Sequence, residues 1–333
     1  EEQALSSPPE ASAKAPSDQQ AEEKTVSAEK NAPAPAQEVS FTLCAYLPVS
    51  SMTQGAAAVA EEYAGSIAAL DYLVLNTGAY WDENGALSLS DELLDAIETL
   101  QGKTALWCTV NPQGALIREG TAGQSIDSPQ ERQALAQEIA AFAEQYGLAG
   151  IDIDWEFPLD DEWEDFSTFL IALKDTLSRN SEPVALSLAL YPEEIALSEE
   201  AIAALDRIHV MAYDQFDSEG FHSTMQAAED AVAYFTALGA SPQQLVLGIP
   251  AYGRPLDGSA QWVFYKDIDP ESISGENPDL VGDISFNSAA TAAQKTQYAL
   301  EQNLGGVMVY QLLCDRNDQD ALILACANMA ENA

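Results

Sequence analysis

The chain reads as an α/β protein whose expected architecture is a closed (β/α)8 TIM barrel. Three observations predict it. Strand patterns alternate with helical patterns eight times over about 290 residues. One strand carries three acids on a single face. Polar and aromatic residues gather where four of the strands end, which is where such barrels keep their chemistry.

Taken in chain order, residues 1–38 are built from Ala, Pro, Ser, Gln, Glu and Lys with almost no large apolar side chain. Such a segment cannot bury enough surface to offset the entropy of ordering, and reads as a disordered tether ahead of a catalytic domain at 39–333. Strands are expected at 41–46, 72–76, 105–110, 150–154, 184–190, 208–212, 245–249 and 307–310. Helices are expected at 55–69, 91–101, 128–146, 161–179, 198–205, 222–238, 288–303 and 318–331. After the first strand stands Tyr46-Leu47-Pro48-Val49-Ser50, with no glycine-rich phosphate fingerprint, which disfavours a doubly wound open sheet. The third helix carries Leu135, Ile139 and Phe142 at helical spacing and stops at Gly147, a natural C-cap. The fourth repeats Trp163, Phe166, Phe169, Leu170 and Leu173 with the same period.

Between those two helices lies Gly150-Ile151-Asp152-Ile153-Asp154-Trp155-Glu156. Strand side chains alternate, so Asp152, Asp154 and Glu156 project together, roughly 7 Å apart, while Ile151 and Ile153 bury on the other face. A solvated acidic face is the plain alternative. With helices on both sides, however, the carboxylates must point into the barrel or its mouth, where mutual repulsion raises the pKa of at least one and leaves a proton for general acid catalysis. The sixth strand runs into Tyr213-Asp214, the seventh into Tyr252-Gly253-Arg254 and the last into Tyr310-Gln311. Aromatic faces beside carboxylates and phenols suit a sugar, with Tyr252, Arg254, Tyr310 and Gln311 as candidate contacts.

The formal charge of −41 argues against nucleic acid and anionic membrane as partners and suits a neutral substrate. No apolar run is long enough to span a bilayer. The chain begins at Glu1 without a signal peptide or initiator Met, consistent with a leader already removed, so an extracellular or surface-tethered monomer of bacterial export type is expected. Cys44, Cys108, Cys314 and Cys326 lack metal or redox spacing and are expected as buried free thiols. Asp315 to Asp320 resembles a calcium loop without its Gly and Glu, and an acidic helix start explains it more simply. With two histidines, His209 and His222, a histidine metal site or a Ser-His-Asp triad is not expected, and neither a metal nor a cofactor is called for.

These motifs resemble family 18 glycoside hydrolases, a group of chitinases and endo-β-N-acetylglucosaminidases whose signature is Asp-Gly-x-Asp-x-Asp-x-Glu. Ala149 to Glu156 matches it everywhere but the first Asp. Met211-Ala212-Tyr213-Asp214, Gly248 to Arg254 and Gly305 to Val309 match three further family motifs in order. The resemblance implies retaining hydrolysis of β-linked N-acetylglucosamine glycosides by substrate-assisted catalysis. In it Glu156 is the general acid and base, Asp154 orients the acetamide, Asp152 shares a proton with Asp154, and Tyr213 bonds the acetamide oxygen. Asp214 holds the sugar, Tyr46 bonds the inner carboxylates and Tyr310 takes the place of the family's tryptophan floor. The third strand ends Cys108-Thr109-Val110-Asn111-Pro112, where the family has Ser-x-Gly-Gly. Residues 255–287 are too few for the full chitinase insertion domain, which implies an open groove for short or branched glycans; Trp81, Trp107, Trp163 and Trp262 are candidates to line it. The alternative function is a lectin-like barrel that binds such glycans without cutting them.

Overall fold

The computed structural model describes residues 40–273 and 277–333; the expected tether at 1–38 lies outside the described residues. In chain order the elements are β1 (Thr42–Pro48), α1 (Ala56–Glu62), α2 (Ala64–Ala68), β2 (Tyr72–Trp81), β3 (Leu87–Leu89), α3 (Asp91–Leu100), β4 (Ala105–Pro112) and α4 (Gly114–Glu119). They continue with α5 (Pro129–Tyr146), β5 (Gly150–Ile153), α6 (Trp163–Leu177), β6 (Ala185–Leu190), α7 (Glu199–Ala204), β7 (Arg207–Val210) and α8 (Met225–Ala237). Last come β8 (Leu245–Pro250), β9 (Tyr252–Pro255), β10 (Val263–Phe264), β11 (Leu280–Val281), β12 (Ile284–Ser285), α9 (Ala289–Glu301), β13 (Gly306–Tyr310) and α10 (Leu322–Glu331).

Eight parallel strands close on themselves in the order β1, β13, β8, β7, β6, β5, β4, β2, with β2 pairing back to β1. Each expected strand has its counterpart in this (β/α)8 barrel. The sequence signals act locally as expected. Ser128 and Glu131 form a reciprocal capping box at the start of α5, and Gly147, at φ 62°, ends it. Ser90, Ser198, Thr224 and Ser288 cap four further helices with their side-chain oxygens.

Besides the added short elements β3 and α4, three features depart from expectation. The helix expected at 55–69 is two helices, broken at Tyr63, whose ring is buried and whose hydroxyl donates to the Asp315 carbonyl. The helix expected from 318 starts at Leu322, because Asp315 turns back to accept from the backbone N–H of Leu322 and Ile323. Asp315 thus serves as an acceptor for the start of the last helix. The segment after β8 folds into a small antiparallel sheet, β10-β9-β12-β11, that stands over the barrel mouth in place of a full insertion domain. All four cysteines are buried free thiols, and no described helix is long and apolar enough to cross a membrane.

Two apolar cores result. The larger packs strands against helices, with Ile151 and Ile153 facing α5 and α6 residues such as Leu135, Phe166 and Phe169. A smaller one fills the lumen with Cys44, Tyr46, Tyr72, Val74, Trp107, Met211, Tyr213, Val246 and Met308. Gly150 makes room for it, since a Cβ there would lie 2.1 Å from Trp107 Cδ2, and that indole stacks on Tyr72 at 4.3 Å. Gly150→Ala is therefore expected to destabilise the fold by about 1–3 kcal/mol through overpacking, seen as a lowered Tm in calorimetry. An unchanged Tm would mean the lumen is looser than this.

Candidate active site

Strand alternation sets the depth of each acid. Asp152, on β5, is fully buried in the lumen, Asp154 sits just past the strand end, and Glu156 stands at the mouth. The lumen face of the neighbouring strands supplies the polar groups that a buried carboxylate requires. Asp152 accepts from Tyr46 Oη at 2.9 Å, Thr109 Oγ1 at 3.0 Å and Ser187 Oγ at 2.6 Å. Tyr46 gives its one proton to Asp152, so His209 Nδ1, 2.6 Å from the same phenol oxygen, donates to it. His209 Nε2 then accepts from Tyr72 Oη at 3.0 Å, and Nδ1 also lies 3.3 Å from Asp152 Oδ1.

Asp154 is held differently. Its backbone N–H donates to Asn111 Oδ1 at 2.8 Å, while its own Oδ1 is buried without a hydrogen-bond partner among the described residues. Burial first, then the charges of Glu156 and Asp152, push its carboxyl well above the ordinary range. Glu156 is also raised, chiefly by desolvation and further by Asp214, against a hydrogen bond with Asp154 that lowers it. Both carboxyls are thus raised, and a hydrogen bond joins them. Asp152 acts on Asp154 through its charge, while its own oxygens face Tyr46, Thr109, Ser187 and His209.

A cavity of about 420 Å³ opens over these acids, lined by Tyr46, Asp154, Glu156, Tyr213, Asp214, Tyr252 and Tyr310 among the expected residues. Phe157, Ala189, Tyr191, Glu193, Met211 and Trp262 complete the wall. Tyr213 stacks on Tyr310 at 5.5 Å, and burial first, then nearby phenols and acids, keep its hydroxyl protonated as a donor. Tyr252 donates to Asp214 Oδ2 at 2.9 Å and carries Trp262 stacked on its ring at 3.8 Å. Burial disfavours the Asp214 charge, yet hydrogen bonds with His222 and Tyr252 and the Arg254 guanidinium outweigh it and hold the carboxyl low. Lys295, fully buried on α9, ties down the loop that follows by donating to Ser223 O at 2.7 Å and to Asn287 Oδ1 at 2.8 Å.

Arg254 and Gln311 do not line this cavity. Arg254 is engaged behind the wall, ion-paired with Asp214 and placed over the Phe216 ring at 5.2 Å. Gln311 is buried where the chain turns away from β13. Of the four tryptophans, Trp262 lines the cavity, Trp81 is buried against Trp155 and Phe169, Trp107 belongs to the lumen core, and Trp163 lines an adjoining cleft. Sequence reasoning passed over Ser187 and gave Thr109, Asn111 and His209 no role in the site. Their signal was present: each is a polar residue on the lumen side of an otherwise apolar strand or at its end.

The family model described as glycosyl hydrolases family 18 matches residues 23–315. The chain belongs to this family. It is 27% identical over 181 residues to probable chitinase 2 of Drosophila melanogaster, covering 48% of this chain and 37% of that protein. It is 25% identical over 252 residues to chitinase 1 of Aphanocladium album, covering 60% of each. The chain thus spans between a third and two thirds of the length of these family 18 relatives. In fold it is similar to the chitinase ChiB of Flavobacterium johnsoniae, with a TM-score of 0.73 and 22% identity over 88% of this chain and 94% of that one.

Proposed function

We propose that this family 18 barrel is an exported, monomeric glycosidase that hydrolyses β-linked N-acetylglucosamine glycosides with retention. The observation that carries the reading is the pairing of Asp154 and Glu156 within hydrogen-bond reach, in one cavity with the Tyr213 phenol. Two carboxyls that touch are too close for the usual retaining scheme, which separates nucleophile from acid by about 5–5.5 Å. Asp214, locked by Tyr252 and Arg254, is poorly placed to attack carbon. The nucleophile must then come from the substrate.

In this reading Asp154 passes a proton to Glu156, which gives it to the glycosidic oxygen as the C1–O bond breaks, and the acetamide oxygen bonds C1 to form an oxazolinium ion. Asp154 faces the acetamide nitrogen and takes up the charge that develops, while Tyr213 donates to the acetamide oxygen. Glu156, now a carboxylate, removes a proton from water as that water attacks C1 and opens the ring. Tyr310, stacked with Tyr213 across the floor, offers its face to the sugar. Asp152 and its four partners fix the strand end without touching substrate.

The test is a pair of fluorogenic glycosides, a chitobioside and its analogue with hydroxyl in place of the acetamide at the reacting sugar. Turnover of the first and loss of activity by at least about 10³-fold on the second is expected, since an intramolecular nucleophile supplies a large effective molarity. Equal turnover of both would rule out substrate assistance. Binding of the chitobioside without turnover would favour the lectin-like alternative.

A further inference from the structure

The catalytic cavity does not end at its own wall. Tyr191 and Glu193, on the segment after β6, also line two adjoining clefts of about 420 and 200 Å³. One runs toward α8 and presents Phe216, Tyr234, Asp217 and Asp230. The other runs past Phe157 and Trp163 and presents Asp160 and Glu194. Phe157 and Phe216, 53% and 38% exposed, are among the few large apolar side chains the described surface leaves open, and Trp262 at the cavity rim, 37% exposed, is another. Exposed aromatic faces along a continuous groove are stacking platforms for sugar rings.

The charge of the groove is one-sided. Glu193, Glu194, Asp160, Asp217 and Asp230 are all exposed, and none is ion-paired among the described residues. No Lys or Arg lines the cavity or either cleft. A neutral glycan would gain hydrogen bonds from its hydroxyls but no charge attraction from such a wall, and a glycan bearing carboxylates would be repelled by it.

We propose that the groove selects partially de-N-acetylated glucosamine polymers, whose free C2 amines are ammonium ions at acidic and neutral pH. The inference rests on the glycosidase reading above and adds the substrate class. The sugar at the scissile bond keeps its acetamide, because that group does the chemistry. Sugars lying in the two clefts carry the amines, and Glu193, common to the cavity and both clefts, is the carboxylate best placed to meet them. Ion pairs in an open groove are weak singly, so selectivity builds with the number of amines engaged and fades with salt.

The experiment compares oligomers of one chain length, fully N-acetylated or partially de-N-acetylated, at low and high salt. A preference in kcat/KM for the amine-bearing oligomer of roughly two- to fivefold per engaged amine is expected at low salt, collapsing at high salt. Glu193→Gln with Asp230→Asn is expected to bring the ratio toward one, with Tm recorded to confirm folding. Calorimetric binding of both oligomers to Glu156→Gln gives the same comparison without turnover. Cleavage of the acetylated oligomer with no preference for amines, or with a salt-independent one, would overturn this inference and leave the glycosidase reading standing. Absence of cleavage on both would sink the glycosidase reading, and the calorimetry would then decide the groove: equal affinities, or tighter binding of an anionic peptidoglycan fragment, refutes the cationic preference.

Discussion

Glu156→Gln is expected to lower kcat on a chitobioside by about 10²–10⁴-fold, the range that a positioned general acid contributes, with substrate affinity retained. Glutamine preserves shape and can still bond Asp154, but it has no proton to give the leaving oxygen and no charge with which to activate water. The wild-type pH profile carries the same information. Glu156 must start protonated, and its carboxyl is raised, mainly by desolvation. Activity should therefore persist above the ordinary glutamate value of about 4.3 and fall as pH rises through the raised one. A variant retaining more than about a tenth of wild-type kcat would remove Glu156 from the role of acid.

Asp154→Asn is expected to lower kcat by about 10²-fold or more, the loss typical of removing one preorganised electrostatic contact. Asparagine keeps the shape of the carboxyl and can donate to Glu156. It cannot become the anion that offsets the oxazolinium charge. Stability should move the other way. A carboxyl whose folded pKa lies above its unfolded one contributes stability below the unfolded value, about 3.9, and loses it as pH rises through the folded value. Burial and the neighbouring acids disfavour the Asp154 charge in the folded chain, and asparagine carries no charge to disfavour. The variant should thus show a Tm equal to or above wild type at pH 7 while nearly inactive. A lowered Tm would mean that the activity loss reports unfolding and not chemistry.

Much of this was legible in the chain itself. The eight strands and most helices follow from hydrophobic period and caps such as Ser128 with Gly147, because those signals act within a few residues. Local signals failed where a distant group decides: Tyr63 breaks a helix because of the Asp315 carbonyl, 252 positions away in sequence. The small sheet over the mouth was missed for a related reason. Its strands are two to four residues long, too short for a period to register.

The acids divide along the same line. Period-two alternation placed Asp152, Asp154 and Glu156 on one face, and no further information was needed for that, since a strand offers only two faces. Which of the acids pair with each other could not be read from spacing. It depends on Tyr46, Thr109, Ser187 and His209, drawn from four other strands and the nearest of them 35 positions away, which take up the Asp152 oxygens while Asp154 pairs with Glu156. The same holds for Arg254, a sugar contact by its position at a strand end, yet in the folded chain the counterion of Asp214. Sequence alone determined the fold, the family and the identity of the acids, because each is encoded in contiguous periodic patterns. Tertiary structure decided charge states and groove shape, because electrostatic fields and cavities are sums over residues that only folding brings together.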